Sequence, residues 1–598
     1  QSISDRPSWI PAFEDRIDRM VRRDRNHPSV IFWSLGNEAG GGSNFQNCYD
    51  LAHRLDATRP VHYEGTRDGK SYGGNRFSDV YSKMYPGMNW MYRYGNTFDR
   101  PMFVCEMAHS MGNSTGNMRE YVDFSMNSTS VVGLCIWDWV DQAIYEPAEI
   151  KAGTYRGRLR TGYDFPGPHQ GNFCSNGVVN ALRHPGAKWV AVKQAYTPVR
   201  TTLKSVDAAR NRVTIGVRND FAFRSLEGYR LSVETVRNGD VVGRRTTDAI
   251  RTCAAGDSME VTLALPKAKM AKACANGDEL LLTVRIIDTE ATPYAEAGWE
   301  VSVEQFELTP RGALPPVEAK KGAQPLAQTD GAGILTIGND RVQAGFDETT
   351  GRLVTLSFDG RNVIADNGGF QYDNHRWIEN DRFGNTANGL NESGTINVQP
   401  DGRAVRVVTT RDGSLCATRL VYTIHPEGLV DVDATFEPKT DNLRRAGLVC
   451  LLDSALSTAD YYAYGPLENY ADRRDGSVVG RYTGTIADFV EPNLKPQMTG
   501  GREGLRELTL RAADGFALNI RTEGQVAFSA LPYTDADLMN APHYYDLRPR
   551  PYTVLHLDAR TRGVGNASCG GADCDALPPY RVPKETLHYR LRLSAQTR

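Results

Sequence analysis

Apolar and polar residues follow two different rhythms along this chain, and the rhythm changes near residue 197. Before that point some stretches repeat every three or four residues and others run almost unbroken. Over 11–25, Phe13, Ile17, Met20 and Val21 recur at helical spacing until His27-Pro28 ends the pattern, because proline lacks an amide donor and clashes with the turn before it. Asn44–Leu55 places Phe45, Cys48, Ala52 and Leu55 on one face, and 118–124 predicts a further helical segment. Near-continuous apolar runs at 30–34, 61–64, 80–84, 102–105 and 132–137 predict five strands. Strands apolar on both faces, alternating with amphipathic helices, imply a parallel sheet covered on both sides. A (β/α)8 TIM barrel needs eight such strands. The stretch therefore reads as an open sheet or as part of a barrel, and its start directly in a helix favours a chain that begins part-way through the barrel.

From 198 to 309 the period shortens to two. Strands are predicted at 213–217, 229–236, 258–263 and 280–287, separated by turn signals such as Asn238-Gly239-Asp240, with no helical pattern. That spacing suits an immunoglobulin-like β-sandwich of about 100 residues. Residues 309–333 hold four prolines and four glycines among few apolar residues, the composition of a linker. Alternating strands return with Asp-Gly turns at 359 and 412. The predicted organisation is multidomain: a partial barrel over 1–197, an immunoglobulin-like sandwich over 198–309, a linker over 310–333 and a large all-β sandwich over 334–598.

With 598 residues the chain exceeds what one core supports. A net charge of -3, with 24% charged residues, gives no electrostatic reason to expect a nucleic-acid or membrane partner, and the arginines over 19–25 read as a solvated helix face. No apolar run approaches the roughly 18 residues that span a bilayer. The amino terminus has no initiator Met and no charged-then-apolar leader, so any targeting segment is expected to have been removed or to lie upstream; the compartment stays open, as does the oligomeric state, a homo-oligomer included. Of ten cysteines only Cys569 and Cys574 lie close together, and their Gly-rich loop suits either a local disulfide or two reduced thiols.

The chemistry is written at strand ends. Ile31-Phe32-Trp33-Ser34-Leu35-Gly36-Asn37-Glu38 and Met102-Phe103-Val104-Cys105-Glu106 each run apolar residues into a glutamate where the chain must turn. A single strand-end glutamate is usually a loop cap or an arginine's partner. Two of them on one parallel sheet, at the rim where barrel active sites sit, fit the carboxyl pair of a glycosidase. Trp137, Asp138, Trp139, Asp141 and Gln142 follow the last strand, where aromatic faces can stack on sugars and polar groups can bind hydroxyls. Trp33 reads as core and Trp137 as a sugar platform. Isolated His53, His62, His184 and His375 support no histidine metal site, and nothing indicates an organic cofactor.

Asp24-Arg25-Asn26-His27-Pro28-Ser29-Val30 followed by Trp33 to Glu38 resembles the acid/base signature of glycoside hydrolase family 2, in particular the bacterial β-galactosidases of the large five-domain type. Cys105-Glu106-Met107-Ala108-His109-Ser110 resembles its nucleophile segment, and Trp137-Asp138-Trp139-Val140-Asp141-Gln142 the motif after its last barrel strand. The likeness continues through Asn172 to Gly177 and returns at Tyr464-Gly465-Pro466-Leu467-Glu468-Asn469-Tyr470-Ala471-Asp472-Arg473. It implies a TIM barrel entered at strand four, an immunoglobulin-like domain and a mutarotase-like β-galactosidase small-chain sandwich. It also implies retaining hydrolysis of terminal β-galactose, with Glu38 as general acid/base, held protonated by a raised pKa, and Glu106 as nucleophile. Asn37, Tyr85, His109, Trp137 and Asn176 would bind substrate or position the nucleophile. Magnesium would sit on Glu38, and sodium on Phe173 and Asn176. Upstream residues that complete such a pocket are absent from this chain, which implies a need for amino-terminal domains. The family's aglycone-stacking tryptophan falls at Val554. Two alternatives stay open: β-glucuronidase or β-mannosidase activity, and an inactive fragment that binds glycan or awaits complementation.

Overall fold

A computed structural model of the chain describes residues 3–64, 77–145, 151, 158–181, 183–381 and 394–597. Its first part alternates helices α1 (Ile10–Asp24), α2 (Asn44–Leu55), α3 (Met88–Tyr94), α4 (Met118–Asn127) and α5 (Ala187–Ala195) with strands β1 (Trp33–Ser34), β2 (Val61–His62), β3 (Tyr81–Met84), β4 (Met102–Met107) and β5 (Val131–Ile136). β1 pairs with β2, β3 with β4 and β4 with β5, every pair parallel. Side chains and loops continue the order between β2 and β3: His62 Nε2 lies 2.9 Å from Ser82 Oγ, and the Asp79 amide donates to the Val61 carbonyl at 2.8 Å. All five predicted strands are present in chain order.

α1 buries Ile17 and Val21 against Phe45, Cys48 and Ala52 of α2. Its outer face carries the exposed i,i+4 pairs Arg19–Asp15 and Arg22–Asp18, which makes the arginine-rich stretch a solvated face, as expected. Two helices escape the periodicity argument. α3 is only seven residues long, and α5 has apolar residues on more than one side because it is wedged between α4 and the strand Glu300–Thr309.

Two antiparallel sheets follow. Val199–Asp207, Arg212–Asn219 and Ser258–Ala264 form one; Tyr229–Arg237, Asp240–Thr247, Leu280–Asp288 and Glu300–Thr309 form the other. They close on a shared core that includes Ile215, Leu231, Leu282 and Ile286. Asn238 and Gly239 both take positive φ, 49° and 91°, which is what a two-residue hairpin turn requires. A short helix, Met270–Asn276, corrects the reading of this stretch as free of helices; seven residues with Met270 and Ala273 buried are too few to set a visible period. The linker expected over 310–333 also ends early. Ala327–Gly331 is an exposed edge strand, paired antiparallel with Ile334–Gly338, whose open ladder recruits it despite its polar sequence.

The remainder builds sheets of five, four and nine strands around one large core. Its contact with the parallel unit positions the site. The segment after β4 is gripped by the last domain: the Asn117 amide donates to the Asp472 carbonyl at 2.8 Å, Arg473 donates to Ser114 O, and Asn566 bonds both Thr115 N and Gly116 O. Asn380 reaches Met111 O at 2.7 Å. The motif Tyr464 to Arg473 thus holds a loop more than 300 residues away in sequence.

Candidate active site

Met102, Val104 and Glu106 point the same way from β4, so the period of two that buries the first two carries the third into the interior, where Glu106 is 7% exposed. Burial pushes its carboxyl pKa up, a hydrogen bond from Tyr85 draws it down, and the neighbouring charges of Glu38, Glu64 and Asp138 push it up again. Four carboxyl groups therefore share one electrostatic site at the ends of β1, β2, β4 and β5. Tyr85, which follows β3 at φ 44°, also donates its backbone amide to the Glu106 carbonyl at 2.7 Å. Its hydroxyl pKa is raised, by burial first and by Glu106 second, so Tyr85 stays a donor.

Glu38 follows β1 with a positive φ of 50° and an exposed side chain, as is that of Asn37. Its amide faces the Glu64 carboxylate, 3.4 Å to Oε2. Glu64 is the residue the sequence argument passed over, although Val61-His62-Tyr63-Glu64 repeats the pattern of apolar strand into glutamate.

His109 is fully buried. Nδ1 lies 2.8 Å from Ser568 Oγ, and Nε2 lies 3.3 Å from the Asn176 side-chain nitrogen. An amide nitrogen only donates, so Nε2 accepts and Nδ1 carries the proton. Burial, aided by Lys188, pushes its pKa down to about 4 and keeps the ring neutral near pH 7. Phe173 stacks on it at 4.7 Å. Lys188 donates to Ser110 O at 2.7 Å and Gly177 O at 2.6 Å, the neighbours of His109 and Asn176, and so fixes both loops.

At the rim Trp137 is 38% exposed and Trp139 56%, whereas Trp33 is 1% exposed and serves as core with its indole donating to Asp56. Asp138 accepts from Gln142 at 2.8 Å. The last domain reaches this rim by a different residue set than expected. Val554 is 3% exposed inside a central strand, so it cannot face a sugar. The loop that does arrive carries Ser568 against His109 and Cys569 against Tyr85, contacts spanning more than 450 residues that no local pattern announces. Cys569 and Cys574 are not joined by a disulfide.

The metal expectations meet different donors. Asn176 Oδ1 is buried and has no hydrogen-bond partner among the described residues, which suits a hard cation or a sugar hydroxyl. Phe173 could offer only its carbonyl. At Glu38 the carboxylate of Glu64 is a second oxygen donor, but among the described residues the only group of three or more closely placed acidic, histidine or cysteine ligands is Asp373, Asp535 and His556 in the last domain. The guanidinium of Arg445 already lies 3.7 and 3.8 Å from the two aspartates there.

A parallel β/α unit with carboxylates gathered at its strand ends, followed by antiparallel domains that lend side chains to the rim, defines a multidomain glycoside hydrolase. The chain belongs to glycoside hydrolase family 2. The family 2 TIM-barrel domain matches residues 1–201, β-galactosidase domain 4 matches 215–309, and the β-galactosidase small chain matches 338–593. The chain is 30% identical to the β-galactosidase of Priestia megaterium over 94% of its own length and 54% of that protein. It is 29% identical to β-galactosidase 2 of Enterobacter cloacae, over 94% of the chain and 56% of that protein. It thus spans about half the length of the curated relatives it matches. A solved β-glucuronidase of Bacteroides uniformis aligns over 98% of the chain and 56% of its own at 10% identity and a TM-score of 0.25, a likeness too slight to carry weight.

Proposed function

We propose that this chain forms the carboxyl-terminal part of a retaining β-galactosidase, in which Glu106 attacks the anomeric carbon and Glu38 protonates the departing oxygen. The observation that carries this reading is the buried Glu106 carboxylate, hydrogen-bonded by Tyr85 and coupled electrostatically to Glu38. Attack forms a bond from Glu106 oxygen to the sugar and breaks the glycosidic bond as the proton of Glu38 moves to the leaving oxygen. Glu38 then takes a proton from water, which displaces Glu106 and returns the sugar with its β configuration. Tyr85 holds the nucleophile by donating to it. His109, its two ring nitrogens held by Ser568 and Asn176, positions Asn176, whose amide binds a galactose hydroxyl; Trp137 stacks on the sugar, and Asn37 binds the hydroxyl beside the reacting carbon.

In this reading the five parallel strands are strands four to eight of the barrel, residues 1–197. Over 198–309 the pairing of three strands against four supports an immunoglobulin-like domain. Residues 334–598 form the large mutarotase-like sandwich. Sodium would take Asn176 Oδ1 and the Phe173 carbonyl, and magnesium the Glu38 carboxylate; such cations supply fixed positive charge near substrate oxygens. Full activity calls for amino-terminal domains that supply the first barrel strands. Nitrophenyl β-glycosides of galactose, glucuronic acid and mannose, offered to the chain alone and joined to its upstream coding sequence, test the reading. Preference for the galactoside with β-galactose as first product supports it. Preference for another sugar, or α-galactose as first product, refutes it.

A further inference from the structure

Glu38 lies on the loop between β1 and α2, and two consecutive residues at the end of β2 hold that loop. The last bond between the two strands runs from the Leu35 amide to the His62 carbonyl, 2.9 Å. Past it the chain turns away, and Glu38 takes a φ of 50°, a conformation that a non-glycine residue seldom adopts and that persists only where its surroundings hold it. Tyr63 supplies one hold. It is fully buried, stacks on Phe45 of α2 with centroids 4.0 Å apart, and donates its hydroxyl to the Gly40 carbonyl. Glu64 supplies the other, its Oε2 facing the Glu38 amide at 3.4 Å.

The Glu64 carboxylate stands where a negative charge is costly. It pushes up the pKa of Glu106, and it does the same to Tyr63 and Cys105. Packing alone does not call for a third glutamate beside two working ones. What a carboxylate adds is a charged acceptor for a backbone amide, an interaction about twice as strong as its neutral counterpart. Because Tyr63 keeps its own grip on Gly40, loss of the Glu64 side chain frees the Glu38 amide without releasing the whole loop.

We propose that Glu64 is a positioning residue: it holds the Glu38 backbone so that the Glu38 carboxyl meets the glycosidic oxygen. The inference rests on the assignment of Glu38 as general acid/base, and its test separates the two. In the active enzyme kcat/KM reports the step in which Glu38 gives its proton to the leaving oxygen. Phenolate needs that proton and 2,4-dinitrophenolate does not. A misplacement of about 1 Å can cost about a hundredfold, so Glu64→Ala should lower kcat/KM about ten- to a hundredfold on phenyl β-galactoside and less than about threefold on 2,4-dinitrophenyl β-galactoside. Glu64→Gln keeps an acceptor oxygen and should recover part of the loss on the phenyl substrate. A residue that merely supported the fold would lower both rates alike. Equal losses on the two substrates, no loss on the phenyl galactoside, Glu64→Gln no better than Glu64→Ala, or a loss that excess magnesium restores would overturn this inference and leave Glu38 as the acid. Wild-type enzyme that hydrolyses neither galactoside would overturn the β-galactosidase reading with it.

Discussion

Lys188→Met removes one ammonium and keeps most of the apolar stem. The wild-type group donates to two carbonyls, Ser110 O at 2.7 Å and Gly177 O at 2.6 Å, one beside His109 and one beside Asn176. A half-buried carbonyl left without a partner costs about 1–2 kcal/mol, so the pair costs about 2–4 kcal/mol. Asp141 adds to this: it accepts from the Gly177 amide at 2.7 Å, and the charge of Lys188 opposes the burial that raises its pKa. The loss should appear as a lower urea midpoint with an unchanged slope. Because His109 and Asn176 adjoin the released carbonyls, the KM for nitrophenyl β-galactoside in the active enzyme should rise several-fold while kcat falls less. Stability within 0.5 kcal/mol of wild type, with KM unchanged, would refute the idea that Lys188 ties the two loops together.

Other outcomes follow from the same geometry. Arg473→Ala strands buried Glu468, its partner at 2.6 Å, and frees Ser114 O; urea unfolding should register a loss of about 3–5 kcal/mol, and a loss below 1 would contradict the clamp. Ser568→Ala removes the partner of His109 Nδ1, and calorimetry should find weaker galactose binding in an otherwise stable protein; equal affinity would exclude the loop from the pocket. The pH dependence has opposed contributions. Asp373, Glu491 and Glu503, raised to about 7 by burial, hold protons in the folded chain that unfolding releases, so each makes stability fall as pH rises from about 4.5 to 6.5. His62 and His109, lowered to about 4, gain protons on unfolding in that window, so each makes stability rise. Each contributes about 1.4 kcal/mol per pH unit. Asp373→Asn removes one falling contribution and should tilt the curve by that amount toward higher stability at higher pH; urea midpoints at pH 5 and 6.5 that keep the wild-type difference would refute it.

Much of this was legible where local pattern and burial agree. The five parallel strands, α1, α2 and the hairpin at Asn238-Gly239 follow from spacing and turn chemistry alone. Glu106 was legible because alternation along β4 forces it inward, and Glu64 was equally legible from the same signal. Ser568, Cys569 and the hold of Arg473 on Ser114 were not, since each depends on a contact spanning hundreds of residues between domains whose separate patterns say nothing of their docking. Short helices such as Met270–Asn276 were lost for a different reason: tertiary burial of two side chains decides them, and no period develops.

The proposed mechanism turns on Glu106 as the nucleophile. Incubating the active enzyme with a 2-deoxy-2-fluoro β-galactoside bearing a good leaving group, then digesting it and sequencing the labelled peptide by mass spectrometry, tests this most directly. One fluorogalactosyl group is expected, attached to Glu106 and absent in Glu106→Gln. Label on Glu38 or Glu64, or rapid inactivation of the Glu106→Gln variant, would contradict it.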